Sequence, residues 1–117
     1  MDNPDEQAPA AAIDAIDLYW RPGCGFCQAL EFELAKTPLN IRRHNIWDEP
    51  SAAEYVRSVA RGYETVPTVA VGSSALVNPS IDELLELVVN EAPQLLPEGY
   101  EPPEASRTQR LMRKLLS

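Results

Sequence analysis

Eight consecutive residues, Trp20-Arg21-Pro22-Gly23-Cys24-Gly25-Phe26-Cys27, constrain this chain more than any others. They follow a stretch whose alternation predicts a strand and open one whose spacing predicts a helix, so the first thiol falls at a helix N-terminus. Orphan backbone N–H groups and the macrodipole favour negative charge there, which lowers a thiol's pKa and raises its thiolate fraction. The second thiol sits one helical turn further on, close enough to resolve a mixed disulfide on the first. These are the only two cysteines in the chain. A structural disulfide more often joins distant residues, and a zinc site needs about four ligands. His44 is the only other soft ligand, which leaves at most three. Redox chemistry is therefore favoured over a structural or metal-binding pair.

At 117 residues and 44% hydrophobic, the chain has one domain's worth of core. Charge is unevenly spread. Residues 1–103 carry six Lys or Arg against 17 Asp or Glu, a net of −11, whereas residues 104–117 carry a net of +3. An acidic body argues against nucleic acid as a partner, because phosphate binding needs a basic face. No run of about 18 apolar residues suggests a membrane span. Met1 to Asp14 is acidic, rich in Pro and Ala, and lacks the basic start of a secretory signal. A cytoplasmic, reducing compartment is expected, where a Cys-x-x-Cys pair is more often catalytic than structural.

Residues 1–12 read as a disordered lead. From Ala15 to Tyr19 the pattern alternates, with Ile16 and Leu18 facing one way and Asp17 and Tyr19 the other, which predicts a strand. A helix is expected from Cys24 to Lys36, with Cys27, Leu30 and Leu34 on its buried stripe, Phe32 off it, and Thr37-Pro38 ending it. Ile41 to Ile46 suggests a second strand despite Arg42-Arg43-His44. A second helix starts at Asp48-Glu49-Pro50, with Asp48 able to cap, Ala53, Val56, Val59 and Ala60 buried, and Gly62 closing it. Val66–Val71 and Ala75–Val77 form a hairpin across Gly72-Ser73-Ser74. Ser80 and Glu83 make a capping box for a third helix, whose apolar face is Ile81, Leu84, Leu85 and Val88. Residues 13–92 are thus expected to form one α/β domain, with parallel strands and a terminal antiparallel hairpin. Residues 93–117 read as a proline-rich linker and a short basic amphipathic helix over Arg107–Leu116.

Cys24-Gly25-Phe26-Cys27, Thr65-Val66-Pro67-Thr68 about 40 residues later, and Asn78-Pro79-Ser80, taken in this element order, resemble the glutaredoxin branch of the thioredoxin fold. The phrases around Thr65–Val69 and Leu76–Ser80 are closest to the actinobacterial mycoredoxins and their glutaredoxin-like relatives, and the likeness covers about Ile13 to Val89. It implies a central four-stranded mixed sheet flanked by three helices, followed by a C-terminal extension. It also implies that Cys24 is the nucleophile, Cys27 the resolving thiol, and Pro67 a cis proline that sets its loop beside Cys24. Val66 would then offer its backbone N–H and C=O to the thiol substrate as in a short strand pairing. Thr65 belongs to the same substrate loop, and N–H groups from Asn78 through Ser80 to Ile81 would hold a polar part of the substrate. Arg21 stands where glutaredoxins commonly carry Lys, to stabilise the thiolate or simply to be solvated. Phe26 would pack over the thiol pocket, with Tyr19 and Trp20 lining it, and His44 reads as a satisfied or surface histidine.

Two departures bear on the co-substrate. Glutathione-using relatives carry a cation before Thr-Val-Pro, where this chain has Glu64. They also carry Gly-Gly and an Asp where this chain has Asn78-Pro79-Ser80. Glutathione bears two carboxylates, which would lose partners and meet repulsion at Glu64; mycothiol, a sugar–inositol thiol, has none. The resemblance therefore implies a monomeric thiol–disulfide oxidoreductase with no bound cofactor, acting on S-thiolated or disulfide-bonded proteins with mycothiol or glutathione as co-substrate. Cys24 as thiolate would take the small thiol from the target, and a second small thiol would release it. The rival readings are a thioredoxin-type dithiol reductase, an iron–sulfur carrier (Cys-Gly-Phe-Ser is one residue away), and an adaptor acting through its basic tail.

Overall fold

The computed structural model describes residues 13–100. The N-terminal lead, the last three residues of the expected linker and the Arg107–Leu116 segment lie outside the described residues. Strands β1 (Ile16–Trp20), β2 (Ile41–Asn45), β3 (Thr68–Val71) and β4 (Ser74–Val77) alternate with helices α1 (Gly25–Leu34), α2 (Pro50–Val59) and α3 (Ile81–Glu91). One sheet of order β2-β1-β3-β4 results. β1 pairs parallel with β2 and antiparallel with β3, and β4 pairs antiparallel with β3. The four-stranded mixed sheet with three helices is the expected fold.

Alternation along β1 divides the core in two. Ile16 and Leu18 face Leu30 and Leu34 of α1 and Leu84, Leu85 and Val88 of α3, with Val69 and Val71 of β3 beside them. Tyr19 faces the other way, onto the smaller cluster of Ile46, Ala52, Ala53, Val56 and Ala60 under α2. Ala52 joins this face and Val59 is only half-buried, so the helix is rotated slightly from the expected stripe.

Element ends depart from expectation for identifiable reasons. α1 starts at Gly25 because Cys24 is its N-cap, and it stops at Leu34, where the Thr37 hydroxyl takes the Leu34 carbonyl at 2.8 Å. Asp48 does not cap α2. It accepts from the Asn45 side chain at 3.2 Å, while Glu49 holds the N-cap position without a side-chain bond. β3 begins only after Pro67, whose peptide with Val66 is cis and which has no N–H for the ladder. The hairpin turn is the two-residue Gly72-Ser73, with Gly72 at φ +61°, as a mirror-type turn with Gly at its first central position requires. The expected linker opens with a folded 3-10 turn, Pro93–Leu95, and Leu95 and Leu96 pack against the main core. No helix among the described residues is long and apolar enough to cross a membrane.

The outer edge of β1–β2 is tied by charge. Arg42 reaches Asp17 through Nε at 3.0 Å and Nη2 at 3.2 Å, and His44 Nε2 lies 2.8 Å from the same carboxylate. Tyr19 stacks between His44 and Tyr55, with ring centroids 4.8 Å apart on each side. Burial, aided by the Asp17 charge, pushes the Tyr19 phenol up to about 12. For Asp17, burial favours the neutral carboxyl, but hydrogen bonds from Arg42 and His44 outweigh it and lower the pKa below its usual 3.8. A depressed folded-state value adds stability above the ordinary carboxylate range, lost as pH falls through it. Asp17→Asn is therefore expected to be less stable than the wild type to urea at neutral pH. The gap should close as the buffer is taken into acid, and a gap independent of pH would contradict the assignment.

Candidate active site

β1 ends at Trp20, and Arg21-Pro22-Gly23 carries the chain from the sheet to α1. Gly23 sits at φ +74°, a conformation that costs glycine little and other residues more, and it turns the backbone so that Cys24 meets the helix axis. Cys24 is the N-cap of α1, with φ −94° and ψ 107°. Its Sγ accepts the N–H of Cys27 at 3.1 Å, and its carbonyl accepts the N–H of Gln28 at 3.1 Å. The sulfur thus takes the place of the oxygen that a serine or aspartate cap would present. Cys24 and Cys27 are joined as a disulfide, with Cα atoms 5.2 Å apart. The pair is recessed: Cys24 keeps 5% of its surface and Cys27 3%.

Opposite lies the loop before β3. The cis Val66–Pro67 peptide turns the Val66 carbonyl toward Cys24, placing its oxygen 3.7 Å from Sγ. The disulfide sulfur has no proton to give, so this is a contact and not a hydrogen bond in the oxidised state. No described residue takes the Val66 N–H, and Val66 is half-buried. Two bonds hold the loop. The Thr68 hydroxyl, fully buried, donates to the Thr65 carbonyl at 2.8 Å, and the Asn78 N–H donates to the Pro67 carbonyl at 2.7 Å. The second bond fixes the start of α3 to the same loop, with Asn78 at φ +52°.

The remaining candidates fall on three sides of the pair. Phe26 is 70% exposed and does not cover the thiol; with Ala29, Leu30 and Glu33 of α1 it forms one wall of a groove of about 180 Å³. Asn78, Pro79, Ser80 and Ile81 form the other wall. Behind Cys27, Trp20, Arg21, Gly23, Gln28 and Glu31 line a cavity of about 330 Å³. Arg21 donates to the Pro22 carbonyl at 3.0 Å and lies over the Trp47 ring at 5.6 Å. Thr65 is exposed and borders a hollow with Tyr63 and Val77. Tyr19 belongs to the α2 face and lines none of these three recesses.

The α3 N-terminus is partly capped. The Ser80 Oγ accepts the Glu83 N–H at 3.1 Å, and Glu83 Oε1 accepts the Ser80 N–H at 2.8 Å. With Asn78 bonded to Pro67 and Pro79 lacking an N–H, most of the donors expected from Asn78 to Ile81 are engaged. Glu64, expected as an unbalanced negative charge, pairs with Arg57 at 2.6 Å. Sequence reading missed this pair, although Arg57 stands one helical turn before the end of α2. It also missed the Thr68 bracket, which a hydroxyl on a wholly buried strand signals.

A family model described as Glutaredoxin matches residues 16–76. The chain belongs to the glutaredoxin family. Two Mycobacterium tuberculosis proteins, "Putative glutaredoxin MT3292" (strain CDC 1551 / Oshkosh) and "Putative glutaredoxin Rv3198A" (strain ATCC 25618 / H37Rv), are each 37% identical to it over 79 residues. Each alignment covers 67% of this chain and 94% of the relative. The crystal structure of the thioredoxin-like protein BC3987 mutant T8A superposes with a TM-score of 0.55 at 19% identity, over 62% of this chain and 97% of its own, a likeness of fold. This glutaredoxin is a thiol–disulfide oxidoreductase of actinobacterial type. Its family acts on thiolated proteins with small thiols of the glutathione type as co-substrates.

The Thr68 bracket can be tested. Thr68→Val keeps the side-chain shape and removes one hydrogen bond, so a loss of about 1 kcal/mol in denaturant-measured stability is expected. A several-fold rise in KM for a thiolated peptide should accompany it, because the Val66 loop loses its anchor. An unaltered KM would show that the hydroxyl does not position the loop.

Proposed function

We propose that this glutaredoxin reduces mixed disulfides between proteins and a small thiol, with Cys24 as nucleophile, Cys27 as resolving thiol and mycothiol as the preferred co-substrate. The observation that carries the reading is the bond from the Cys27 N–H to Cys24 Sγ at 3.1 Å, at the head of a helix and facing the Val66 loop. In the reduced protein that N–H and the helix terminus favour the thiolate over the thiol. Cys24 as thiolate attacks the sulfur that the small thiol contributes to the mixed disulfide. The Cys24–sulfur bond forms as the protein–small-thiol bond breaks, and the target leaves as a thiolate. A second small thiolate then attacks the sulfur it matches, releasing Cys24 and leaving the oxidised small disulfide. For protein disulfides, Cys27 attacks Cys24 instead and closes the intramolecular bond, for which a Cα separation of 5.2 Å leaves the two sulfurs in reach.

Val66 supports substrate alignment: its N–H has no partner among the described residues, and its carbonyl faces Cys24, so an extended thiol substrate would pair with both as in an added strand. Pro67 holds that loop in place, Thr65 borders it, and Phe26, Asn78 and Ser80 line the groove where the rest of the small thiol would lie. Arg21, turned to Pro22 and Trp47, lends positive charge near the pair from the Cys27 side. The leaning to mycothiol draws support from the capping box of α3, which withholds the Ser80 and Glu83 N–H groups from a carboxylate, and from the mycobacterial relatives. The Glu64 argument is weaker than the sequence implies, because Arg57 offsets its charge.

Turnover of a mycothiolated peptide with mycothiol as reductant tests this. Cys24→Ser should abolish turnover, and Cys27→Ser should retain most of it. Full activity in Cys24→Ser would overturn the nucleophile, and loss in Cys27→Ser would favour the thioredoxin-type dithiol cycle. Glutathione or a flavoprotein reductase outperforming mycothiol as donor would refute the co-substrate.

A further inference from the structure

The groove beside the reactive pair is walled on one side by Phe26, Ala29 and Glu33 and on the other by the start of α3. A helix N-terminus next to a thiol site is by default a receptor for anions. Here it is partly filled. The Glu83 carboxylate takes the Ser80 N–H at 2.8 Å, the Asn78 N–H goes to Pro67, and Pro79 has none. Asp82 adds a second acidic residue in the first turn of α3, and Glu33 stands on the opposite wall. Among the described residues, no Lys or Arg lines the groove. Lys36 lies 3.4 Å from Glu33 and offsets part of its charge, as Arg57 does for Glu64.

We propose that Glu83, by taking the Ser80 N–H at the groove wall with its own carboxylate, makes this groove discriminate against small thiols that carry carboxylates. Glu33 on one wall and Glu83, bonded to Ser80 of the other, can accept hydroxyl protons in charge-assisted hydrogen bonds, so an uncharged polyhydroxylated substituent is accommodated where a carboxylate is repelled. The inference deepens the donor reading above and rests on its placement of the small thiol. It assigns specificity to a residue whose other task is to cap a helix.

The test uses a probe independent of mycothiol. A reporter peptide is S-thiolated either with glutathione or with glutathione diethyl ester, whose carboxylates are masked, and kcat/KM is measured for wild type and Glu83→Gln. Gln at this position supports the same capping box without the charge. Wild type should favour the ester by about two- to fivefold, the scale of one charge at a helix N-terminus. The preference should reside in KM and shrink as ionic strength rises. Glu83→Gln should erase most of it. Equal use of acid and ester by the wild type, or a preference that survives in Glu83→Gln, overturns the inference. A wild type that ignores a mycothiol conjugate yet shows the ester preference refutes the donor reading and supports the role of Glu83.

Discussion

One hydrogen bond organises this molecule's chemistry: the N–H of Cys27 to the sulfur of Cys24, 3.1 Å long, at the first turn of α1. It makes a cysteine serve as a helix cap, where serine, threonine or aspartate is the usual choice. The same geometry gives the sulfur a donor and a positive dipole end, so a structural position becomes a chemical one. Everything around it serves to hold that sulfur facing a receptive backbone. Gly23 supplies the left-handed turn that lets the chain leave β1 and start the helix. Leu30 and Leu34 anchor the helix to the main core, so the cap cannot drift from the sheet.

The facing loop is fixed from below and from the side. Antiparallel pairing of β3 between β1 and β4 sets its height, and the buried Thr68 hydroxyl draws in the Thr65 carbonyl. Asn78 then ties the far end of the hairpin to Pro67, so the reactive pair, the loop and the start of α3 form one unit. Cys24 and Cys27 are nearly buried, at 5% and 3% exposure, so their sulfurs are open only along a narrow approach. Chemistry at such a recess depends on the shape and charge of its rims more than on the identity of the two thiols. The groove toward α3 carries Glu33 on its α1 wall, whereas the side toward Trp20 and Arg21 is aromatic and cationic.

Much of this was legible in the residues themselves. Alternation in Ile16–Tyr19 assigned both faces of β1 correctly, because a strand's period of two leaves no freedom once one face is buried. Ser80 with Glu83 announced a capping box that the structure contains. Asp48 misled because a capping residue and a turn residue share one chemistry: Asn45 claimed its carboxylate before the helix did. Phe26 misled for a different reason. Its place between two cysteines suggests a lid, yet the second position of a helix with Cys24 and Cys27 turned inward must point outward. Arg57–Glu64 and the folded Pro93–Leu95 turn depend on distant contacts, which no local pattern reports. The family, by contrast, was written in three short motifs.

The ionisation of Cys24 is the quantity on which the rest turns. Titrating the thiolate absorbance of reduced Cys27→Ser, which leaves a single thiol, reads it directly. Half-ionisation well below the ordinary thiol value of about 8.5 is the result expected of a sulfur at a helix N-terminus. A midpoint near the ordinary value would mean that the cap does not activate the sulfur, and the proposed chemistry would have no nucleophile at neutral pH.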